Sequence, residues 1–427
     1  MSRVVVLFTR DLRTRDHPAL AAAVRDHDEV VPLFVLDDRL LARSANRAAF
    51  LLDSLEALRK ALRGALVVRR GDPAQAIASL RADSVYLTAD VGPYARARER
   101  RLAAVARLST FSGNAVVDPG EVAPGGGDHY RVFTPYWRAW STAPRRELAP
   151  PPPPLELPPD VEPGELPELR ALVTAEPSPH LPRGGEPEGR RRLAAFLESG
   201  LDRYGELRDV PGVEGTSRLS PYLRFGCVSA LEVAESAAAR GGDELVRQLA
   251  WRDFYRQLLA AFPSLGRDDY RPRGRRWRQD PDALEAWKSG RTGIPIVDAG
   301  MRQLATEGWM HNRVRLLAAS LLVKSLGIDW RAGAAHFSEL LVDGDLASNA
   351  GNWQWVAGTG TDTRPNRVFN PVRQARRFDP DGAYVRRYVP ELAELGPAEV
   401  HEPWRLGPLG LEELGYPPPL VEIPASR

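Results

Sequence analysis

Cysteine is nearly missing from this 427-residue chain, which carries Cys227 alone. A single thiol excludes an intramolecular disulfide and the multi-cysteine cages that hold structural zinc or iron–sulfur clusters. Lysine is almost as scarce, at Lys60, Lys288 and Lys324, so arginine supplies nearly all of the 58 basic residues. Those 58 face 56 acidic residues for a net charge of +2, so any surface for a polyanion has to be a local patch. No apolar run reaches the roughly 18 residues that span a bilayer, and the opening MSRVVVLF lacks the basic, apolar and cleavage regions of a secretory leader. No internal repeat is evident. What remains is the expectation of a globular protein of a reducing compartment, built as two to three domains at about 150 residues each.

The first 120 residues alternate β-branched runs with amphipathic stretches. Val4–Phe8, Val30–Leu36, Leu66–Arg69, Val85–Leu87 and Ala115–Val117 read as strands, and 18–26, 46–62, 73–81 and 93–109 as helices between them. That rhythm predicts a parallel, Rossmann-like α/β sheet covered on both faces, with ligands at the carboxyl ends of its strands. The glycine fingerprint of dinucleotide enzymes is absent after the first strand, where FTRDLR stands instead. Eight prolines between Pro150 and Pro163 exclude helix or central strand there. From about Glu186 the periodicity turns helical. The predicted organisation is an α/β domain over 1–130, a proline-rich connector over 131–185 and an all-α domain over 186–427.

Several segments carry chemistry. In PGVEGTSRLSPYLRFG, Ser220 and Pro221 read as the cap and first residue of a helix. Thr216, Ser217, Arg218 and Ser220 beside that start suit a phosphate or pyrophosphate, or simply an ordinary cap. Gln248, Trp251, Arg252 and Tyr255 fall on one face of a helix, which reads as the wall of a polar–aromatic pocket or as core. Asn312 and Arg315 share a face in GWMHNRVRLLAAS. His311 has no second ligand at metal spacing, so it reads as a satisfied or exposed histidine. In DGDLASNAGNWQW, Asp343, Asp345 and Asn349 could hold a heterocycle; a cation is the weaker reading and no metal is expected. Arginine clusters at Arg271, Arg273, Arg275, Arg276 and Arg278, and again at Arg364, Arg367, Arg373, Arg376, Arg377, Arg386 and Arg387.

Taken in order, LFTRDLRTRDHPAL, YRVFTPYWRAW, GGEPEGRRRLAAFL, TSRLSPYLRFG, WRDFYRQ, TGIPIVDAGMRQLATEGWMHNRVR and DGDLASN…NWQW resemble the DNA photolyase/cryptochrome family over nearly the whole chain. The resemblance implies an α/β antenna domain followed by a helical FAD-binding domain, most like the bacterial members that repair cyclobutane pyrimidine dimers. It implies that Tyr204, Thr216, Ser217, Arg218, Leu219 and Ser220 hold the flavin diphosphate side. Arg252, Asn312, Asp343, Asp345 and Asn349 would surround the isoalloxazine and adenine ends, with Arg315 paired to Asp343 and Asn349 beside flavin N5. Trp353, Trp330 and Trp287 match a tryptophan electron relay running to the surface. Trp251 and Trp355 would wall a pocket for a flipped-out dimer, with Gln248, Asn312, Arg313, Leu316, Arg364 and Arg367 on the lesion or its DNA. An antenna chromophore, folate or deazaflavin, would sit in the first domain near Arg10 and Arg13. UV-damaged DNA is the implied partner, for a monomer in the bacterial cytoplasm acting at the nucleoid.

Three departures from the family pattern bear on activity. Gln248 replaces the glutamate common in cyclobutane-dimer enzymes and is familiar in six-four photolyases. Leu316 stands where methionine is frequent, and Ala350 and Asn352 replace Asn and Gly near the first relay tryptophan. The alternatives to cyclobutane-dimer repair are a six-four photolyase and a cryptochrome photoreceptor. The second is disfavoured because no disordered tail follows Trp404.

Overall fold

The computed structural model describes residues 2–422. Its first part is a five-stranded, fully parallel sheet: β1 (Arg3–Phe8), β2 (Glu29–Leu36), β3 (Val67–Arg70), β4 (Ser84–Thr88) and β5 (Arg107–Phe111), in the order β3-β2-β1-β4-β5. RVVVLF occupies the centre because a strand covered on both faces reads as a continuous apolar run rather than an alternation. Helices that open at Pro18, Pro73, Pro93, Pro281, Pro295 and Pro371 use proline in the first turn, where its missing N–H leaves no bond unmade.

The fifth strand is not where periodicity puts it. The expected Ala115–Val117 is buried but irregular, because the amides of Val116 and Val117 donate to the Asp253 carboxylate, at 2.9 and 3.2 Å, instead of to a ladder. The true β5, RLSTF, is a partly exposed edge strand with a mixed pattern. The expected 93–109 helix had absorbed its start; that helix ends at Leu102.

The proline-rich connector has a structural task. Its Pro163 carbonyl accepts from Val68 N–H at 2.7 Å, and Arg69 donates to the Glu162 carbonyl at 2.8 Å. The free edge of β3 is thereby covered by a strap that cannot extend the sheet further. Gly164 (φ +74°) is needed there, since a Cβ would fall 2.6 Å from the Val68 oxygen.

Beyond Glu186 the chain is helical, but the cores do not follow the connector. One face of the sheet (Val5, Leu7, Val31, Leu33, Val85) is buried under its own helices. The opposite face (Val4, Val6, Phe8, Val30, Phe34) shares a continuous core with Phe196, Tyr222, Phe225, Leu231, Leu249 and Phe254. A second helical core, from Ala283 to Tyr416, stands apart. The seam is close: Leu12 N–H donates to the Phe225 carbonyl at 3.1 Å. At Gly226 (φ +68°) a Cβ would lie 1.9 Å from the Arg10 oxygen, so only glycine allows the two parts to meet there.

Candidate active site

The turn between the helices Trp330–Leu340 and Leu346–Ala357 builds the site. Val342 N–H donates to the Gly308 carbonyl at 2.8 Å, which delivers Asp343 to the face of Arg315. Asp343 Oδ2 accepts from Arg315 Nη2 at 2.8 Å and from Ser220 Oγ at 2.6 Å. Its Oδ1 is buried with no partner in the protein, and a buried carboxylate oxygen left this way is costly unless a ligand donates to it.

Asp345 caps the next helix, accepting from Ser348 N–H at 2.9 Å through Oδ1. Its Oδ2 accepts from Arg10 of the α/β part at 2.5 Å. Burial opposes ionisation of Asp345, but the guanidinia of Arg10 and Arg256 outweigh it and hold the carboxyl far below its ordinary range. Asn349 is oriented by donating to the Ala334 carbonyl at 2.9 Å.

These groups line a pocket with about 500 Å³ of unfilled space, mouth included, together with Asn312, Leu316, Asn352 and Trp353. Asn312, Arg315, Leu316, Asp343, Asp345, Asn349 and Trp353 are thus brought together. The 216–220 segment reaches the pocket through Ser220 alone. Ser220 opens the Ser220–Phe225 helix without capping it; its hydroxyl also accepts from Trp309 Nε1 at 3.2 Å, and bonding to Asp343 takes precedence over the cap. Arg218, at φ +47°, is held by Glu307 at 2.8 Å, Glu214 at 3.1 Å and the Trp309 ring at 4.4 Å. Leu219 and Tyr204 are core residues, the latter edge-on to Phe196.

The Gln248–Tyr255 face divides. Arg252 turns to the seam, donating to the Asn114 carbonyl at 2.6 Å, and burial there pushes its pKa down to about 10. It does not line the pocket. Tyr255 is buried and donates to Asn352 Oδ1 at 3.2 Å, while half-buried Trp251 stacks on Phe133 with centroids 3.6 Å apart. Gln248 is half-buried beside it. Trp251, Tyr255 and Asn352 therefore form a path to the pocket rim. Trp355 stacks on Phe369 and lies under Arg367, 5.2 Å from its ring. Arg364 and Arg367 are exposed. Arg313 is engaged with Asp209 at 2.8 Å and with the Phe378 ring. His311 is buried rather than exposed, and its Nδ1 caps the Asn312–Ser320 helix.

The three expected relay tryptophans are all buried. Trp353 lines the pocket and its ring centroid is 6.0 Å from that of Trp287. Trp287 is 0% exposed and donates to the Ala318 carbonyl, so it does not reach the surface as the sequence reading required. Trp330 donates to Asp269 at 2.9 Å. Trp277, which that reading passed over inside an arginine run, packs on the same core and stays partly exposed. The alternation of Arg275, Trp277 and Arg278 around one indole was the available signal.

A second and larger cavity, with about 1920 Å³ of unfilled space, mouth included, lies in the seam at the carboxyl ends of β1 and β2. It shares Gly344, Asp345 and Asn349 with the first. Arg10 lines it. Arg13 does not; it is buried, donating to the carbonyls of Asp16, Gly113 and Gly226. Burial pushes Arg47 down to about 10 and Arg224 to about 9 at the cavity wall, and Arg98 there has buried nitrogens without partners.

Fold and pocket define a protein in which a parallel α/β part is seamed to a helical part that holds a heterocyclic cofactor. The chain belongs to the DNA photolyase family: the DNA photolyase description matches residues 4–156, and the FAD binding domain of DNA photolyase matches residues 245–427. It is 49% identical to a deoxyribodipyrimidine photo-lyase of Streptomyces griseus, over 100% of this chain and 98% of that one. The structure of a class III photolyase from Agrobacterium tumefaciens superposes with a TM-score of 0.91 at 35% identity, covering 99% of this chain and 95% of that one. An archaeal photolyase from Sulfolobus tokodaii, solved with two FAD molecules, gives 0.86 at 32%, covering 99% and 96%. The residues present fit FAD: an orphaned Asp343 oxygen, the Arg315 guanidinium and the Asn312 and Asn349 amides offer both acceptor and donors to a flavin edge.

Proposed function

We propose that the chain repairs cyclobutane pyrimidine dimers in DNA under blue light, as a deoxyribodipyrimidine photo-lyase with FAD. The observation that carries this is the pocket itself, with its unpartnered Asp343 oxygen and the ring path from Trp251 through Tyr255 to Asn352 at its edge. FAD, bound in its reduced form, would supply the photoexcitable electron donor for opening the dimer. The chain does the rest. Arg315, fixed by Asp343, would hold a positive charge toward a bound flavin, and Asn349, oriented by the Ala334 carbonyl, would present its amide to it. Such preset dipoles stabilise transferred charge without reorganising.

A dimer inside duplex DNA cannot reach this pocket, so it has to be extruded. Trp355 and the free face of Trp251 supply stacking surface for it, worth about 1–3 kcal/mol per base. Arg364 and Arg367, with exposed Arg373 and Arg377, lie where they can meet phosphates. Gln248 can still donate to a thymine carbonyl through its amide. Trp353, touching the pocket and Trp287, starts a path for reducing oxidised flavin, with the partly exposed Trp277 as a candidate exit. Arg10, Arg47, Arg98 and Arg224 make the seam cavity a place for a second, antenna chromophore of the folate or deazaflavin class. Among the described residues no helix is long and apolar enough to cross a membrane. We place the protein in the bacterial cytoplasm, acting on DNA as a monomer.

The test is a repair assay on oligonucleotides that carry either a cyclobutane dimer or a six-four product, with reduced, FAD-loaded protein under blue light. Restoration of the cyclobutane substrate alone is expected. Restoration of the six-four product alone would reassign the lesion and make Gln248 its marker. Repair of neither, with normal flavin photoreduction, would make the protein a cryptochrome.

A further inference from the structure

The helix Asn312–Ser320, which brings Asn312, Arg315 and Leu316 to the pocket, widens into a π-turn at Leu321–Ser325, closed by Leu326 N–H on the Leu321 carbonyl at 2.9 Å. One extra residue in a turn re-aims the side chains around it, and such bulges concentrate at functional sites. Here Lys324 faces the loop that follows Trp355. Its Nζ donates to the Ala357 carbonyl at 3.0 Å and to the Pro365 carbonyl at 2.7 Å. Ala357 ends the Leu346–Ala357 helix, and Pro365 lies between Arg364 and Arg367. One ammonium thus ties the root of the loop to its tip.

Other contacts complete the strap. Ser320 Oγ accepts from Phe369 N–H at 3.1 Å, and Arg273 Nε donates to the Gly358 carbonyl at 3.1 Å. Gly358 (φ +80°) sits so close beneath Pro365 that a Cβ would come within 2.3 Å of the Pro365 oxygen. The fastened turn is what puts the Arg367 guanidinium over Trp355 and Phe369 against it.

The residue type is informative in a chain that otherwise uses arginine. The other two lysines form surface pairs with Glu56 and Glu285 one helical turn away. A guanidinium spreads its donors over a rigid fork, whereas an ammonium presents three donors from one atom and can converge on two carbonyls from different segments.

We propose that Lys324 is a positioning residue for DNA binding: it holds the 363–369 segment so that Arg367 stands over Trp355, with Arg364 presented on the same exposed loop. This rests on the lesion-binding reading above. The test compares native protein with Lys324→Met and Lys324→Arg, all FAD-loaded, in two assays. Trypsin reports the loop, because Arg367–Val368 is exposed whereas Arg364 is protected from cleavage by the following Pro365. Binding to duplexes with and without a cyclobutane dimer reports the function.

In Lys324→Met, cleavage after Arg367 is expected to accelerate at least tenfold and the Kd for the dimer-containing duplex to rise five- to twentyfold. FAD content and repair yield per bound complex should stay native, and Lys324→Arg, whose rigid fork does not converge on both carbonyls, should recover only part of either loss. An unchanged lesion Kd in folded Lys324→Met would overturn the proposal. So would a raised Kd without faster cleavage, since the lysine would then act on DNA directly. Should Lys324→Met fail to fold, Lys324→Gln, which keeps one donor group, is read in the same way. Native protein that binds both duplexes equally, with cleavage still accelerated in the variant, would leave the strap to Lys324 and refute the lesion reading instead.

Discussion

Asp345→Asn isolates the electrostatic part of the joint between the two halves. Asparagine caps helices about as well as aspartate, so the Ser348 amide keeps its acceptor. The partly buried ion pair to Arg10 at 2.5 Å is lost, and Arg10 retains the longer contact to Asp90 at 3.4 Å and its bond to the Arg224 carbonyl at 3.2 Å. Removing one partner of a fully buried pair costs about 3–5 kcal/mol; this pair is partly exposed and Arg10 keeps two other contacts, so the expected loss is at most the lower bound, about 3 kcal/mol. In a chain longer than 250 residues each kcal/mol moves Tm by about 2 °C or less. Flavin-free Asp345→Asn should therefore melt roughly 3–6 °C below the native protein by far-UV circular dichroism. Arg10→Met should lose a comparable amount. The double variant should lose clearly less than the two together, because neither leaves its partner stranded. Losses that add within about 0.5 kcal/mol would refute the idea that this pair couples the halves.

Other perturbations test other parts of the structure. Trp353→Phe should abolish photoreduction of oxidised flavin while chemically reduced protein still repairs, measured by absorbance under blue light and by dimer repair; loss of both would mean a structural role only. Trp251→Ala should weaken binding to dimer-containing DNA several-fold more than to undamaged DNA in a fluorescence titration. Gly351→Ala, favourable by helix propensity alone, should instead destabilise by about 1–3 kcal/mol, because its Cβ would fall 2.2 Å from Tyr255; a raised Tm would show that Tyr255 yields freely. His311 is held down at about pKa 4 by burial, with Arg315 and Arg313 adding to the effect against Asp209. Between pH 6.5 and 4 the unfolded chain takes up a proton that the fold refuses, so stability should fall with pH across that window by up to about 3 kcal/mol. His311→Asn, which keeps a cap, should flatten the Tm–pH curve there.

Much of the fold could be read in advance where burial and periodicity agree, as in β1 to β4, whose apolar runs have no competing reading. β5 escaped because an edge strand half in water need not look like one, while Val116 and Val117, which do, give their amides to a carboxylate from a distant helix. At the site, residues close in sequence were the legible ones. Asp343, Asp345, Asn349 and Trp353 come from one turn and one helix and arrive together. Contacts between distant segments were not legible: Arg10 on Asp345, Ser220 on Asp343 in place of a cap, Arg252 turned to the seam, Trp287 buried. At Ser220 and Arg252 tertiary hydrogen bonding outweighed a local preference that was correctly read, whereas the relay role of Trp287 rests on the resemblance alone.

The turn at Gly344–Asn349 is a party wall, with one cavity on each side and Asp345 and Asn349 facing both. A guest on either side presses on the same few atoms, so the guests cannot be thermodynamically indifferent to one another unless their effects on that wall cancel. By linkage, whatever factor loading the seam cavity applies to the affinity of its neighbour, the neighbour returns in full. Cells that make only one of the two ligands would then hold protein whose grip on that ligand differs from its grip in cells that make both.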